Sequence, residues 1–173
     1  MPSNGKKELI RRRIAIAQRR LAAAHLLLEH DFLDDVLSKS YYAIFSAAQA
    51  ILSSKDLHSK KHSGVIAFFN LHFVKTGLID KQFNTILGRA REVREFSDYG
   101  DFYETSEQEC RSQLQAAEQF LEMAINFLRA QGFESRHTTN EAPFVLLKCH
   151  SGRTSLCENV AAGTSTYNIL ALR

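Results

Sequence analysis

Apolar residues recur every three or four positions along most of the chain, which is the spacing of helices packed in a bundle. The first stripe covers residues 10–28, and its helix is expected to end near Glu29–His30. The second covers Phe32–Ser53, where small residues on one side allow close approach of a neighbouring helix. Stripes at 83–93 and 114–128 complete the long elements. The pattern predicts an all-α protein, built as an up-and-down four-helix bundle.

Residues that commonly begin or end helices predict the remaining helix boundaries of the bundle. An extra, shorter helix is expected at Ser59–Lys75, with Thr76 and Gly77 as its C-cap. Aspartates and serines accept hydrogen bonds from the first backbone amides of helices, whereas glycines commonly terminate them. On this basis the predicted N-caps are Asp31, Asp80 and Ser106, the last opening a capping box with Glu109, and the predicted helix stops are Gly100 and Gly132.

Three segments are predicted from these features. Residues 1–7 are expected to form a flexible leader, and residues 8–132 to form the helical bundle. The absence of proline between Pro2 and Pro143 supports helices over that stretch. Residues 133–173 lose the helical period and are rich in Thr, Ser, Asn and Gly, so an irregular tail, disordered or loosely packed, is predicted there.

Composition narrows the class of protein. A chain of 173 residues with 24% charged residues suits one globular domain. No apolar run approaches the ~20 residues of a membrane span, and the arginine-rich start differs from a signal core, so a cytoplasmic location without membrane contact is expected. Cys110, Cys149 and Cys157 form no CxxC pair, and His58 and His62 lack a third ligand nearby. No metal or cofactor is therefore predicted.

Basic residues are concentrated at the start of the chain. The net charge is only +3, yet residues 1–20 hold seven Lys or Arg against the single acidic residue Glu8. Such an excess fits contact with RNA, DNA or an acidic partner. It fits equally a solvated helix face, and the sequence leaves both interpretations open.

A second charged cluster, residues 91–99, lies at the end of the apolar stripe of residues 83–93, in the third long helix. On a helix Arg91, Arg94 and Asp98 share one face. Two guanidinium groups on one face can hold a phosphate, because each donates a planar fork of hydrogen bonds. The alternative is a solvated face stabilised by local ion pairs, and Arg91 with Glu95 or Arg94 with Asp98 would fit it.

Several short motifs resemble the HEPN domain, in the branch of small stand-alone prokaryotic HEPN proteins often encoded beside a minimal nucleotidyltransferase. The resemblance covers about residues 8–130. It implies an all-helical homodimer in which the arginine motifs of the two chains meet near the interface. The motifs are Arg20-Leu21-Ala22, Lys39-Ser40-Tyr41-Tyr42-Ala43-Ile44-Phe45, Lys61-His62-Ser63-Gly64-Val65, Phe73-Val74-Lys75-Thr76-Gly77, Arg94-Glu95-Phe96-Ser97-Asp98-Tyr99 and Ala117-Glu118-Gln119-Phe120.

Many proteins of this family are metal-independent ribonucleases, and several act as toxins in toxin–antitoxin pairs. Their motif is an arginine followed, after four to six residues, by a histidine. Here Arg94 is followed after four residues by Tyr99, and no histidine lies between His72 and His137. A phenol titrates near pH ~10 and is a poor base at neutral pH. The resemblance therefore transfers the arginine but not the general base.

Other residues of the motifs have more than one possible role. Tyr99 either packs at the helix end or accepts a nucleotidyl group from a partner nucleotidyltransferase, as the resemblance suggests. Tyr41, Tyr42 and Phe45 are interpreted as core or dimer-interface residues rather than as a base-stacking platform. His62, beside Lys61 at a probable helix start, either caps that helix or approaches the Arg94 face.

Three functions follow, in this order. The first is a dimeric HEPN module that binds a nucleotide or RNA phosphate through Arg91, Arg94, Lys61 and His62 and pairs with a nucleotidyltransferase. The second is an active metal-independent endoribonuclease toxin, with Arg94, Asp98 and Tyr99 as catalytic residues. The third is a purely structural helical adaptor in which the arginines only make ion pairs.

Overall fold

The bundle predicted from the sequence is present in the computed structural model, which describes residues 4–99 and 105–133, the side chains of Asp98 and Tyr99 excepted. Within these ranges there are five α-helices, one π-helical turn and no strand. The elements are α1 (Asn4–Glu29), α2 (Leu33–Ser54), α3 (His62–Phe69), the π-helical turn Asn70–Val74, α4 (Lys81–Tyr99) and α5 (Glu107–Ala130). The predicted stop at Gly100 and the predicted tail beyond residue 133 lie outside the described residues.

The four long helices α1, α2, α4 and α5 form the up-and-down bundle, and α3 is the extra short helix. Helix α2 is central, because it packs against each of the other four α-helices. Its small residues Ala43, Ala47 and Ala50 are fully buried, which allows the close approach that the sequence indicates. None of the helices in the described ranges is both long and apolar enough to span a bilayer.

Aromatic packing fixes α3 and the π-helical turn against the bundle. Phe69 at the end of α3 packs on Phe120 of α5, with 5.6 Å between ring centroids. Phe73 in the turn meets Phe127 edge to face at 5.7 Å. Both Phe69 and Phe73 are fully buried, and burial of a phenylalanine contributes roughly 1.5–3 kcal/mol. The N-terminus of α3 is thereby held in place, and with it His62.

The predicted helix Ser59–Lys75 is shorter than expected at its start. The Ser59 hydroxyl donates to the carbonyl of Lys61 and accepts from its backbone amide, a local turn that competes with helix. Gly64 lies so close to this turn that a Cβ at that position would collide with Ser59 Oγ. The helix therefore begins at His62, and Lys61 occupies its N-cap position.

Three basic residues of α1, spaced seven apart, attach this helix to α2; Lys6, Arg13 and Arg20 are here called the clamp residues. Each reaches an oxygen near the facing turn of α2, and the periodicity of seven keeps all three on the same side of α1. The hydrogen bonds are Lys6 Nζ to Ser54 O (3.3 Å) and Asp56 Oδ2 (2.5 Å), Arg13 Nη1 to Gln49 O (2.7 Å) and Ser53 Oγ, and Arg20 Nη1 to Tyr42 O (3.0 Å) and Ser46 Oγ (2.5 Å).

The helix ends correct one boundary prediction. Asp31 does not cap α2: the N-cap is Phe32, which makes no side-chain cap bond. Asp31 instead terminates α1 in the left-handed conformation (φ 63°), where the amide of Phe32 bonds to Leu27 O at 3.0 Å and that of Asp31 to Leu28 O at 3.3 Å. This Schellman arrangement usually takes glycine, because a Cβ disfavours positive φ.

The other predicted caps agree with the structure. Ser106 accepts from the Glu109 amide at the start of α5, and Asp80 Oδ1 accepts from the Gln82 amide at 2.8 Å at the start of α4. Gly77 and Gly132 have positive φ at the ends that the sequence assigns to them. Helix α1 begins at Asn4, so residues 4–7 of the predicted leader are helical, while residues 1–3 lie outside the described part.

Candidate functional site

His62 is held at the first position of α3 by two aromatic residues of α2. Its Nδ1 lies 2.5 Å from the hydroxyl of Tyr41. Its ring stacks on Phe45, with 4.5 Å between centroids and 19° between planes. Tyr41 is fully buried and Phe45 is 8% exposed, so the imidazole is fixed by rigid neighbours while itself remaining partly accessible.

Two arginines of α4 lie close enough to act on this imidazole electrostatically. Burial lowers the pKa of His62 from 6.5, and the positive charges of Arg94 and Arg91 lower it further, against the opposing effect of Glu95. The imidazole is therefore neutral at neutral pH. Sequence reasoning left open whether His62 approaches the Arg94 face; in the structure Tyr42 links them, since its ring centroid is 6.1 Å from that of His62 and 5.7 Å from Arg94 Cζ.

The hydroxyl of Tyr41 belongs to the same electrostatic neighbourhood. Burial raises the pKa of Tyr41 to about 12, although Arg91 and Arg94 both act in the opposite direction. The phenol therefore keeps its proton at neutral pH, and it can either donate to Nδ1 of His62 or accept from it. Which of these occurs decides where the imidazole carries its proton.

Two guanidinium groups lie over the ring of Tyr42. Arg94 Cζ is 5.7 Å from the ring centroid and Arg20 Cζ is 5.3 Å from it, both within cation–π range. Arg91 Nε donates to Glu95 Oε1 at 2.7 Å, which is one of the ion pairs expected from the sequence. This bond uses Nε, so the terminal nitrogens of Arg91 still offer a hydrogen-bonding edge. The group His62, Tyr41, Tyr42, Arg91 and Arg94 is here called the His62 site.

The remaining candidates from the sequence are placed as follows. Lys61 is exposed and directly precedes His62. Asp98 and Tyr99 are in the last turn of α4, one turn beyond Arg94 and Glu95, and their side chains lie outside the described residues. Within the described ranges, no three His, Cys, Asp or Glu side chains are grouped so that they could hold a metal ion.

Sequence reasoning missed the part that Tyr41 plays. It was assigned to packing together with Tyr42 and Phe45, yet its hydroxyl contacts His62, whose pKa the α4 arginines lower. Tyr41 and His62 are 21 positions apart and no periodic signal links them, since α2 and α3 meet only through tertiary packing. The nearest available signal was the shared occurrence of both residues in the short motifs.

Comparison with known proteins follows the same boundaries as the bundle. The HEPN domain family model matches residues 10–128. The chain is 38% identical over 116 residues to "Putative toxin MJ0605" of Methanocaldococcus jannaschii, covering 67% of this chain and 86% of that protein. It is 37% identical over 119 residues to a "UPF0332 protein" of Thermotoga maritima, covering 69% and 90%. It is 31% identical over 123 residues to "Putative toxin MJ0142" of M. jannaschii, covering 71% and 83%.

Proposed function

The chain belongs to the HEPN domain family, and from this premise we propose that it is a HEPN module that binds the phosphate of a nucleotide or of RNA at the His62 site. The observation that carries the proposal is the convergence of His62 with Arg91 and Arg94 on the rigid surface formed by Tyr41 and Phe45. A pair of guanidinium groups one turn apart beside an accessible imidazole is a suitable receptor for a phosphate.

The protonation of His62 fits phosphate binding in a specific way. When the Tyr41 hydroxyl donates to Nδ1, the neutral imidazole carries its proton on Nε2, which can then donate to a phosphate oxygen. Arg91 and Arg94 supply the charge, and Lys61 adds a mobile ammonium next to His62. A bound dianion favours the protonated imidazole, so phosphate binding is expected to raise the pKa of His62 and to strengthen as pH falls towards that pKa.

The test is the affinity for a nucleoside monophosphate, measured by calorimetry for the wild type and Arg94→Ala. Loss of one charge-assisted pair is expected to weaken binding by about tenfold or more. Arg94→Lys keeps the charge but not the fork, so it should recover only part of the loss. Arg89→Ala is the matched control, because Arg89 is an exposed arginine of the same helix. Equal affinity of Arg94→Ala and wild type would reject the proposal.

The partner assignment is a separate part of the proposal. The relatives named as putative toxins and the family membership support a toxin–antitoxin setting, in which this chain forms a homodimer and pairs with a minimal nucleotidyltransferase. Light scattering of the purified chain tests the dimer. Co-expression with a minimal nucleotidyltransferase, followed by purification through a tag on this chain alone, tests the pairing, and failure of the nucleotidyltransferase to co-purify at both low and high salt would count against it.

A metal-independent endoribonuclease is the second candidate. It is favoured by one observation: the motif of Arg94 contains no histidine, but His62, from another helix, supplies an imidazole at the same site. If Nδ1–H donates to Tyr41, Nε2 carries a lone pair and can take the proton of an RNA 2′-hydroxyl. The 2′ oxygen then bonds to phosphorus, the bond to the 5′ oxygen breaks, and that oxygen takes up a proton, leaving a cyclic phosphate. Arg91 and Arg94 would stabilise the charge that develops on the phosphate.

RNA cleavage in EDTA separates the two candidates. An enzyme of this kind should lose at least 100-fold in rate in both Arg94→Ala and His62→Gln, since each supplies a different function in the transition state. Products ending in a cyclic phosphate would identify attack by the 2′-hydroxyl. No cleavage by the wild type, with nucleotide binding intact, leaves the binding module as the function.

A further inference from the structure

A hollow on the surface between α1 and α2 lies next to the His62 site. Its volume is about 570 Å³. Its walls are Ile16, Arg19, Arg20, Ala23, Lys39 and Tyr42. Three of these six residues are cationic and none is acidic, so the hollow is a concentrated positive surface rather than an ordinary mixed one.

The three cations of the hollow differ in mobility. The clamp residue Arg20 is fixed, because its Nη1 donates to Tyr42 O and Ser46 Oγ. Arg19 and Lys39 are exposed, and in the described part of the chain neither forms an ion pair. The hollow therefore combines one preorganised charge with two that can adjust to a ligand.

Tyr42 joins the hollow to the His62 site. It lines the hollow, and its ring centroid is 5.3 Å from Arg20 Cζ and 5.7 Å from Arg94 Cζ. Cationic groups thus continue from the hollow by way of one aromatic ring to Arg94.

We propose that the hollow is a second phosphate site, so that successive phosphates of one single-stranded RNA segment occupy the His62 site and the hollow, with Tyr42 shared by both. The proposal rests on the phosphate-binding function proposed above and adds a second binding site to it. A single strand suits this path, because an unpaired backbone can bend around one side chain and leave a base free to stack on it. Electrostatic contacts of this type are sequence-independent, so the affinity is expected to depend on length and salt.

The experiment compares a nucleoside monophosphate with fluorescent oligouridylates of increasing length, using the full chain. Arg19→Ala/Lys39→Ala removes the two mobile charges at exposed positions where the fold tolerates change. It should weaken oligonucleotide binding by about tenfold at low salt and reduce the slope of log affinity against log salt by about 1.4, two contacts at ~0.7 each. Affinity for the monophosphate should stay at the wild-type value.

The matched control is Lys75→Ala/Lys81→Ala, which removes the same charge at exposed positions beside the start of α4. Arg94 lies about 20 Å further along that helix, at ~1.5 Å per residue. This control should bind every ligand as the wild type does. If it loses as much affinity as Arg19→Ala/Lys39→Ala, the effect reflects net charge and the proposed path is rejected.

The remaining outcomes distinguish failure of the proposed RNA path from failure of the phosphate-binding function on which it rests. Wild-type oligonucleotide binding by Arg19→Ala/Lys39→Ala would overturn the path while leaving the phosphate site intact. An equal loss of polyglutamate binding in that variant would overturn the RNA assignment in favour of an acidic protein segment. A wild-type chain that binds neither monophosphate nor oligonucleotide would reject the function and the path together.

Discussion

The arginines of α1 and those of α4 belong to the same residue type but serve the molecule differently. Arg13 and Arg20 donate to backbone carbonyls and serine hydroxyls of α2, and these hydrogen bonds join the two helices. Arg91 and Arg94 instead converge on an imidazole whose pKa they lower. Residue type alone therefore does not decide what an arginine does, because the partners of each side chain determine its role.

Arg20 shows where the two regions meet. It is a clamp residue by its hydrogen bonds and a wall of the hollow by its position next to Tyr42. A guanidinium that is already held by carbonyl oxygens keeps its charge, so a structural tie and an electrostatic contribution to binding are compatible. Arg13, which does not line the hollow, therefore contrasts most clearly with Arg94.

The largest expected effect is on stability, from Arg13→Ala. Arg13 makes two charge-assisted hydrogen bonds to α2, and burial already lowers the pKa of its guanidinium. Its loss is expected to lower the free energy of unfolding by about 2 kcal/mol while nucleotide affinity stays unchanged. Urea denaturation measures this, with the exposed neighbour Arg12→Ala as control at under ~0.5 kcal/mol. A loss of nucleotide affinity in Arg13→Ala would remove the contrast between the two regions.

The converse variant is Arg94→Ala, in which binding falls and stability changes little. A tenfold loss of nucleotide affinity corresponds to about 1.4 kcal/mol, whereas loss of the partly exposed contact with Tyr42 should cost under ~1 kcal/mol of stability. Urea denaturation and calorimetry on the same preparation give both numbers. A variant destabilised as much as Arg13→Ala would show that Arg94 is chiefly structural.

A smaller effect is expected from Tyr41→Phe, which removes the hydroxyl beside His62 Nδ1 and keeps the buried ring. Loss of one hydrogen bond should cost about 1 kcal/mol in unfolding free energy. The imidazole should also lose its preference for one tautomer, which nitrogen chemical shifts of His62 report. Tyr42→Phe is the control, because it removes a neighbouring tyrosine hydroxyl, whereas the hydrogen bond to His62 comes from Tyr41. An unchanged tautomer ratio in Tyr41→Phe would show that the bond does not orient the ring.

The smallest expected effect is a pH dependence of stability. The pKa of His62 is lower in the folded chain than its unfolded value of 6.5, so the unfolded chain binds the proton more readily between the two values. The stability contributed by the neutral imidazole is thus fully present above pH 6.5 and is lost as pH falls through the folded pKa. Compared with His62→Gln, the wild type should lose more stability over that interval. Parallel pH profiles of the two proteins would contradict the depressed pKa.

The sequence predicted the bundle well because local signals and the apolar period agree. The capping box at Ser106, the stop at Gly77 and the extent of α2 all depend on residues close together in the chain. The prediction that Asp31 caps α2 was wrong, because the same aspartate can either cap a helix or end one, and tertiary geometry decides which. The two choices have similar local chemistry, so the sequence alone could not separate them.

Only the part of the site that lies on a single helix could be predicted from the sequence. Arg91 and Arg94 share a helix face, which spacing alone indicates. The contact of His62 with Tyr41, and the positions of Arg20 and Arg94 over the ring of Tyr42, join four different helices. These contacts depend on how α2 packs against α1, α3 and α4, and no periodic pattern in a single sequence encodes them.

A phosphate site formed by His62 and the α4 arginines is tested most directly by NMR titration of the histidine side chains with and without a nucleoside monophosphate. We expect the ligand to shift the His62 resonances and to raise the pKa of His62. Arg91→Ala/Arg94→Ala should abolish both changes. His58, exposed four residues earlier, should not respond. A saturating ligand that leaves the His62 resonances and pKa unchanged would contradict a phosphate site at His62.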